Sequence, residues 1–350
     1  MKMILLLALL FMTISNAQSI RPIRDNVGFC WTASEMDTVI SFLQKDAANE
    51  KSFPTENLIA AISPHDDYLY AGRIYFPLFQ LINAKEVVIF GVTHGTVRKA
   101  MNDPKNILIL DKFDKWQGPY GNVDISPLRK ILKDSLPKNE FIVSNKAQTI
   151  EHSIEAMIPF LQYYNRNVKI TPVMVTEMSF DKMNRISNDF SKTVENYIRA
   201  KHYKLGKDIF FLISSDANHY GKDFDNSPYG LDRKAHSSAT ARDKQIAKNY
   251  LDNNITNSDI KNLSKQIWKS KNSKTVIPLW CGRYPIVFGL STVKKIAKNI
   301  DNRNIVGKLF KYSDTKTEGV LKISGTNLGT TAPVSYQHWV GFFSAGFYLK

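Results

Sequence analysis

The sequence predicts an α/β fold: a mixed, mostly parallel sheet with helices on both faces. Short apolar runs rich in β-branched residues alternate with segments whose apolar residues recur at helical spacing, the pattern of repeated β/α units. The end of the chain changes to successive strand patterns, which predicts an antiparallel extension of the sheet. With 350 residues, 43% of them hydrophobic, the chain can bury a large core. No internal repeat or linker interrupts residues 18–350, so we expect one domain there.

The first half of the chain alternates helix and strand patterns. Helices are predicted where apolar residues share one helical face, as Met36, Val39, Ile40 and Leu43 do, over residues 34–47, 71–83 and 151–164. Strands are predicted where a continuous apolar run is bounded by turn residues, at 57–63, 86–91, 106–110 and 141–144.

The second half continues the alternation and then departs from it. Strands are predicted at 168–175 and 208–214, and helices at 180–199, 235–251, 256–268 and 284–298. Three strand patterns then follow one another without a helix between them, at 306–312, 318–324 and 335–349. These last strands are the predicted antiparallel part of the sheet.

The N-terminus has the pattern of an export signal. Lys2 precedes an apolar stretch over residues 3–14, and Ser15-Asn16-Ala17 forms a small-x-small cleavage site. We therefore expect residues 1–17 to be a signal peptide and the mature protein to be periplasmic or secreted. The alternative is a buried N-terminal helix. Because no later segment approaches the length of a membrane span, no transmembrane segment is expected.

The charge and the cysteine count exclude some classes of protein. The formal net charge is +15, which can favour anionic partners, but no nucleic-acid-binding motif accompanies it. We therefore expect no nucleic acid partner and interpret the basic segment at 261–274 as a solvated helix face and loop. Two cysteines, Cys30 and Cys281, exclude a disulfide scaffold but leave one bridge open.

Several predicted strands are followed by chemically active side chains. His65 follows the strand at 57–63, His94 follows the strand at 86–91, and Asp216 and His219 follow the strand at 208–214. The carboxyl ends of parallel strands share one edge of an α/β sheet, where ligands bind. One histidine alone is usually structural, whereas two at equivalent strand ends favour a metal site.

The neighbours of these residues allow more than one role. Asp66 and Asp67 could cap the helix predicted from Ala71 or orient His65. Cys281 precedes a helical pattern, where a lowered pKa would suit a thiolate ligand or nucleophile, although a small buried side chain is the simpler interpretation.

Two further pairs of residues each allow two alternative roles. Asp216 and His219 suit an acid/base pair or partners of metal ligands. Glu151 and His152 fit either a functional site or a plain helix start.

Five short motifs together resemble one family. They are Ile62-Ser-Pro-His65, Gly91-Val-Thr-His94, Glu151-His-Ser-Ile-Glu155, Ser214-Ser-Asp-Ala-Asn-His219 and Cys281-Gly-Arg283. Their order and spacing are similar to those of the Memo family, also known as AmmeMemoRadiSam system protein B. The segment from Arg24 to Trp31 resembles the N-terminal element of that family. Each motif is weak alone, but five in the same order form a specific pattern.

The resemblance implies a fold shared with class III extradiol dioxygenases and one transition-metal ion, iron or copper in preference to zinc. By motif the metal ligands fall on His65, His94 and Cys281, and further pocket residues fall on Asp216 and His219 as the catalytic candidates. We expect Trp31, Glu151, His152 and Arg283 to contact the substrate. A thiolate in place of the usual carboxylate of such iron sites means that ring cleavage does not follow from the fold.

Two functions from different classes remain, and whether the chain is an enzyme stays open. The first is a metal-dependent oxidoreductase acting on a small or aromatic substrate. The second is a non-catalytic module that binds a peptide or an anionic ligand in the same cleft, with Arg283 attracting it. Hydrolysis by Cys281 with His219 as base is a third, more distant alternative. The oligomeric state is not predicted.

The chain also departs from the family pattern. Asp66-Asp67 stands where Ala-Gly is usual, Cys30 stands near a usual serine, and the export signal is atypical. These departures suggest a redox gate. A Cys30–Cys281 disulfide, which requires Cα atoms within about 7 Å, would remove the thiolate, and Asp66 or Asp67 would replace it. The alternative is that Cys30 is an ordinary buried residue.

Overall fold

The computed structural model describes residues 18–49, 52–268 and 276–350. The predicted signal peptide, residues 1–17, lies outside the described residues. Within the described ranges, no helix is both long enough and apolar enough to cross a membrane.

Strands and helices alternate along most of the chain. The strands are β1 Ile20–Arg21, β2 Leu58–Ser63, β3 Glu86–Gly91, β4 Leu108–Leu110, β5 Lys115–Trp116, β6 Val123–Ile125, β7 Phe141–Val143, β8 Lys169–Val175, β9 Ile209–Ser214, β10 Asp216–Gly221, β11 Ile305–Asp314 and β12 His338–Leu349. The helices are α1 Ala33–Asp46, α2 Tyr68–Phe79, α3 Gly95–Ala100, α4 Leu128–Ser135, α5 Asn145–Ile150, α6 Ile158–Tyr164, α7 Phe180–Lys201, α8 Arg233–Leu251, α9 Asn257–Ile267, α10 Arg283–Asp301 and α11 Thr315–Glu318.

All of these strands belong to one mixed sheet. Its centre is the parallel set β8-β3-β9-β2. On one side β12 pairs antiparallel with β2, and β10 and β11 each pair antiparallel with β12. On the other side the sheet continues through β6 and β5 to β1. This confirms the predicted fold: a single α/β domain with a mixed sheet, consistent with a dioxygenase-like architecture.

Helices cover both faces of the sheet, which explains why the central strands are apolar at every position. In β3, Val88 and Phe90 face a layer that includes α7 and α10, whereas Val87 and Ile89 face a layer that includes α2 and α6. Every residue of β2, β3 and β9 is buried. The carboxyl ends of these three neighbouring strands are therefore held rigidly side by side.

The predicted helix at 151–164 is wrong at its start. The chain is extended at Glu151, a 3-10 turn covers Glu155–Met157, and the α-helix begins only at Ile158. Pro159 lies in its first turn, where proline is tolerated because the N–H groups there have no helical partner. The polar residues before it belong to a loop, not to a helix start.

The strand predicted at 318–324 is also wrong. Gly319 has φ +64°, a left-handed conformation that ends the short helix α11, and Leu321 makes a single backbone bond to Leu69. The strand β10 was not predicted, because its sequence is polar and lacks apolar alternation. Pairing with β12 forms it.

Candidate metal centre

The carboxyl ends of β2, β3 and β9 open into a cavity of about 760 Å³. The strand order places β9 between β3 and β2, so residues distant in sequence converge here. Of the predicted site residues, those lining the cavity are His65, His94, His152, Asp216, His219, Cys281 and Arg283.

Three predicted ligands come close enough to share one ion. One ligand atom from each of His65, His94 and Cys281 lies within 4.8 Å of the others. The Sγ atom of Cys281 is 3.3 Å from Nε2 of His65. Two overlapping groups meet the same criterion: His94 with Glu151 and His152, and Asp216 with His219 and Cys281.

His65 is held with its Nδ1 occupied and its Nε2 next to Cys281. Its Nδ1 is 2.8 Å from Oγ of Ser214, and that hydroxyl donates its own proton to the carbonyl of Ser153 at 2.7 Å. The hydroxyl must therefore accept from Nδ1–H, which leaves the lone pair of Nε2 available. Burial, followed by repulsion from His94 and His152, lowers the pKa of His65 well below its usual value. The imidazole is thus neutral, as a metal ligand must be.

Glu151 holds His94 in the equivalent way. Nδ1 of His94 is 2.7 Å from Oε1 of Glu151, and the backbone N–H of His94 donates to Oε2 at 3.0 Å. The same carboxylate accepts the N–H groups of His152 and Ser153, each at 2.9 Å. Because Nδ1 is used, Nε2 of His94 is the nitrogen left to bind a metal.

The same contacts keep the Glu151 carboxyl group ionised. Burial alone would raise its pKa, but His94 and the N–H donors more than offset it and hold the pKa well below the usual range. In return, Glu151 raises the pKa of His94 against the opposing effect of burial.

Cys281 does not have the low pKa that its position before α10 predicted. Burial, and then the negative charge of Asp216, raise the pKa of the thiol well above its usual value. The backbone N–H of Asp216 donates to Sγ at 3.2 Å, which opposes but does not cancel these effects. The thiol is therefore a poor nucleophile by itself, and a bound cation would be needed to make it a thiolate.

Asp216 and His219 form a second layer of polar groups beside the ligands. Oδ2 of Asp216 lies 3.3 Å from Nε2 of His65 and 3.9 Å from Nε2 of His219. Burial raises the pKa of Asp216 to about 7. Burial, with repulsion from His94, lowers the pKa of His219 to about 3. Near neutral pH the carboxyl group is poised to hold or release a proton, whereas the imidazole is neutral.

Comparison with known proteins adds family membership to this geometry. The family model described as "Memo-like protein" matches residues 30–324. The chain belongs to the Memo family. The match covers all five motifs, so the resemblance predicted from them is confirmed.

Curated relatives carry the same family name. Proteins named "MEMO1 family protein" from Sulfurisphaera tokodaii and Aquifex aeolicus are each 30% identical, over 47% and 53% of this chain and 54% and 60% of their own lengths. One from Methanococcoides burtonii is 27% identical over 71% of this chain and 78% of its own length. The first two matches thus span only a little over half of those relatives.

With both thiols free, Asp66 and Asp67, the departure from the Memo pattern, are not placed as metal ligands. Neither belongs to the described groups that could hold a metal. Asp67 precedes α2, but its side chain makes no cap bond and instead accepts from the N–H of Thr331 at 2.6 Å. Asp66 lines the cavity, where its Oδ2 has no hydrogen-bond partner. The predicted capping role, and the helix start near Ala71, are therefore wrong.

Some residues that the Memo resemblance assigned to substrate lie elsewhere. Glu151 is buried behind His94, with 1% of its side chain exposed, and is absent from the cavity wall. Trp31 is also absent from the wall, and its indole donates to the carbonyl of Asp25, which does line the cavity. His152 faces the cavity and stacks on His94, with ring centroids 4.8 Å apart. Burial, with repulsion from His94, lowers its pKa to about 4.

Both cysteines are free thiols. Cys30 is fully buried in the apolar layer that contains α1 and α2, as its alternative interpretation holds. Cys281 lines the cavity. The redox gate therefore gains no support from the structure.

Asp243 is a functional candidate that the sequence did not reveal. It is fully buried on α8, where its carboxyl accepts from the indole of Trp280 at 2.9 Å and the hydroxyl of Tyr312 at 2.8 Å. Burial raises its pKa to about 7. Asp243 thus holds the side chain of Trp280, the residue directly before Cys281. An aspartate within a mixed-charge helix gives no sequence signal for this role.

Proposed function

We propose that this Memo family member is a metal-dependent oxidoreductase whose ion is held by His65, His94 and Cys281. The observation that carries the proposal is the pair of imidazoles whose Nδ1 atoms are occupied, so that Nε2 of each is the nitrogen left for a metal, beside one thiol. Ser214 and Glu151 occupy the Nδ1 atoms, as the outer partners of metal-bound histidines usually do. A histidine that served only packing would have no need for this arrangement.

The donor set indicates the kind of metal. Two nitrogens and one sulfur are softer donors than the oxygens that magnesium and calcium prefer, so copper, iron or zinc fits. Three protein ligands leave a coordination position open for a further group. A bound redox metal would supply one-electron chemistry at that position, which is why we favour iron or copper over zinc.

Asp216 supplies the proton exchange in this proposal, and His219 a neutral imidazole beside it. Asp216 accepts the backbone N–H of His65 at 2.9 Å through Oδ1, so its Oδ2 remains directed towards His65 and His219. With a pKa of about 7, Asp216 exchanges a proton near neutral pH. His219, whose pKa is lowered to about 3, stays neutral there and offers the substrate a ring nitrogen as a hydrogen-bonding group.

A second candidate function is capture of an anionic small molecule or peptide without turnover. Arg98 and Arg283 both line the cavity, and the Nε atom of each is buried without a hydrogen-bond partner within the described ranges. Such donors favour a carboxylate or phosphate. Saturable binding without consumption of oxygen or reductant would favour this function.

The first prediction tests the metal ligands. Replacing His65, His94 or Cys281 by alanine should lower the metal affinity in each case. The loss should exceed the roughly 10- to 100-fold that is typical when a residue hydrogen-bonded to a metal ligand is removed, so the purified variants should contain less metal. Elemental analysis measures metal per chain, and circular dichroism checks the fold.

A matched control is His202→Asn. This histidine lies at the end of α7 with φ +53°, a conformation that asparagine also adopts, and it is exposed. The control should keep the wild-type metal content. Wild-type metal content in all three ligand variants would contradict the assignment.

The second prediction separates chemistry from metal retention. Asp216→Asn and His219→Ala should keep the metal but lose turnover, measured as oxygen uptake with ascorbate by the iron- or copper-loaded protein. The reason is that both side chains face the cavity beside the ligands, where Asp216 exchanges a proton and the neutral His219 contacts the substrate. Loss of metal in His219→Ala would make His219 a ligand and remove Cys281 from the scheme.

We also propose that the protein is exported. The support is the sequence pattern of Lys2, the apolar residues 3–14 and the cleavage site at Ala17. An N-terminus at Gln18 in protein recovered from the native envelope or medium would agree with this proposal.

A further inference from the structure

His338 lies on the same cavity as the predicted metal ligands, although no motif includes it. It is the first residue of β12, which pairs antiparallel with β10. In that pairing Gly221 is opposite His338, and His219 is opposite Val340. Residues two apart on a strand share a face, so His338 and His219 are diagonal neighbours on one face of the sheet. Both line the cavity.

Asp223 fixes the orientation of His338. Nδ1 of His338 is 2.7 Å from Oδ2 of Asp223, so Nδ1–H donates to the carboxylate. Nε2 then carries the lone pair, and it is buried without a hydrogen-bond partner in the described part of the chain. The His338 side chain is 12% exposed, whereas that of Asp223 is 68% exposed. The pair thus reaches from solvent into the cavity.

Phe224 forms an apolar wall between the two imidazoles. Its ring centroid is 5.0 Å from that of His219 and 4.7 Å from that of His338, and Phe224 also lines the cavity. Among the described residues, Nε2 of His219 likewise has no hydrogen-bond partner, and it is buried. Two unpartnered ring nitrogens therefore flank one apolar surface, an arrangement that costs free energy unless a ligand completes it.

We propose that His338, held by Asp223, contacts the ligand of this cavity and determines its chemistry. The ligand would donate a hydrogen bond from a hydroxyl or amine group to Nε2 of His338 and pack an apolar part against Phe224. This inference rests on the proposed function for the location of the binding site. It deepens that function by naming the chemistry of the ligand.

The first part of the test measures the tautomer of His338. Two-bond ¹H–¹⁵N spectra of metal-free and zinc-loaded protein should show one histidine signal with Nδ1–H that disappears in His338→Phe. In Asp223→Asn the same signal should change towards the usual Nε2–H tautomer. Asp225→Asn is the matched control, since Asp225 is an exposed carboxylate in the same loop, whereas the carboxylate paired with His338 is that of Asp223. An Nε2–H tautomer in the wild type would overturn the proposal.

The second part uses phenol and anisole as probes, which differ in the O–H donor. Phenol at millimolar concentration should shift the Nε2 resonance of His338, anisole should not, and His338→Phe should weaken phenol binding several-fold. Equal responses to both probes, or phenol binding unchanged in His338→Phe, would overturn the proposal. Metal content is measured on the same samples. Wild-type protein without metal would contradict the proposed function while leaving this result interpretable.

Discussion

Replacing Glu151 by glutamine should lower the metal affinity of this chain by about 10- to 100-fold, the usual effect of losing the outer partner of a metal-bound histidine. Glutamine keeps the size of the side chain but removes the negative charge that His94 faces at 2.7 Å. The neutral amide also offers fewer acceptor sites for the N–H groups of His94, His152 and Ser153. His94 then loses both its fixed tautomer and its orientation. Titration against a competing chelator measures the affinity.

Glu86→Gln is the matched control for this experiment. Glu86 is a buried carboxylate at the start of β3, the strand that leads to His94, and it accepts hydroxyls from Ser126, Tyr197 and Tyr203. It therefore shares the burial and the strand of the His94 site but lies at the opposite end. Its variant should bind metal as the wild type does. Equal affinities in the two variants would show that Glu151 has no special role.

The predictable part of the fold is the part dictated by burial. β2, β3 and β9 are covered on both faces, so their apolar runs identify them, and their parallel pairing brings His65 and His94 together. The segment from Glu151 was not predictable in the same way. Its apolar residues continue into α6, but the Glu151 side chain binds the backbone of His94, which is distant in sequence. That long-range contact favours a loop over a helix.

The parts of the site that the sequence missed depend on non-local pairing. His338 reaches the cavity only because β12 pairs with β10, a polar strand with no apolar alternation. Cys281 was identified as a candidate ligand from its place before α10, but the shift of its pKa was predicted in the wrong direction. Burial outweighs the helix N-terminus, and Asp216 adds a negative charge beside the thiol. A sequence indicates neighbours along the chain but not the depth of burial.

Replacing Arg21 by methionine should lower the free energy of unfolding by about 3–5 kcal/mol, because it leaves a buried carboxylate unpaired. The Arg21 side chain is 2% exposed and that of its ion-pair partner, Glu155, is 0% exposed. The guanidinium also donates to the carbonyl of Gln148 at 2.9 Å and lies 4.3 Å over the ring of Trp116. Methionine preserves much of the apolar contact with Trp116. The loss of unfolding free energy therefore measures mainly the effect of the unpaired charge of Glu155.

The pH dependence of this loss identifies its cause. Burial raises the pKa of Glu155, and Arg21 opposes that effect. Without Arg21 the folded-state pKa rises further above the unfolded value, so the folded state binds more protons. The deficit of Arg21→Met should therefore be largest above the folded pKa and shrink as the pH falls. Urea unfolding at several pH values, followed by tryptophan fluorescence, measures it.

Two further variants complete the test. The double variant Arg21→Met with Glu155→Gln removes the unpaired charge of Glu155 and should recover part of the lost free energy of unfolding. Recovery should be incomplete, because Glu155 also accepts the backbone N–H groups of Arg24 and Asp25, two residues that line the cavity. Lys130→Ala, which breaks an exposed pair with Asp134, should leave stability unchanged. A deficit in Arg21→Met that is independent of pH would attribute the loss to packing against Trp116 instead of to the charge of Glu155.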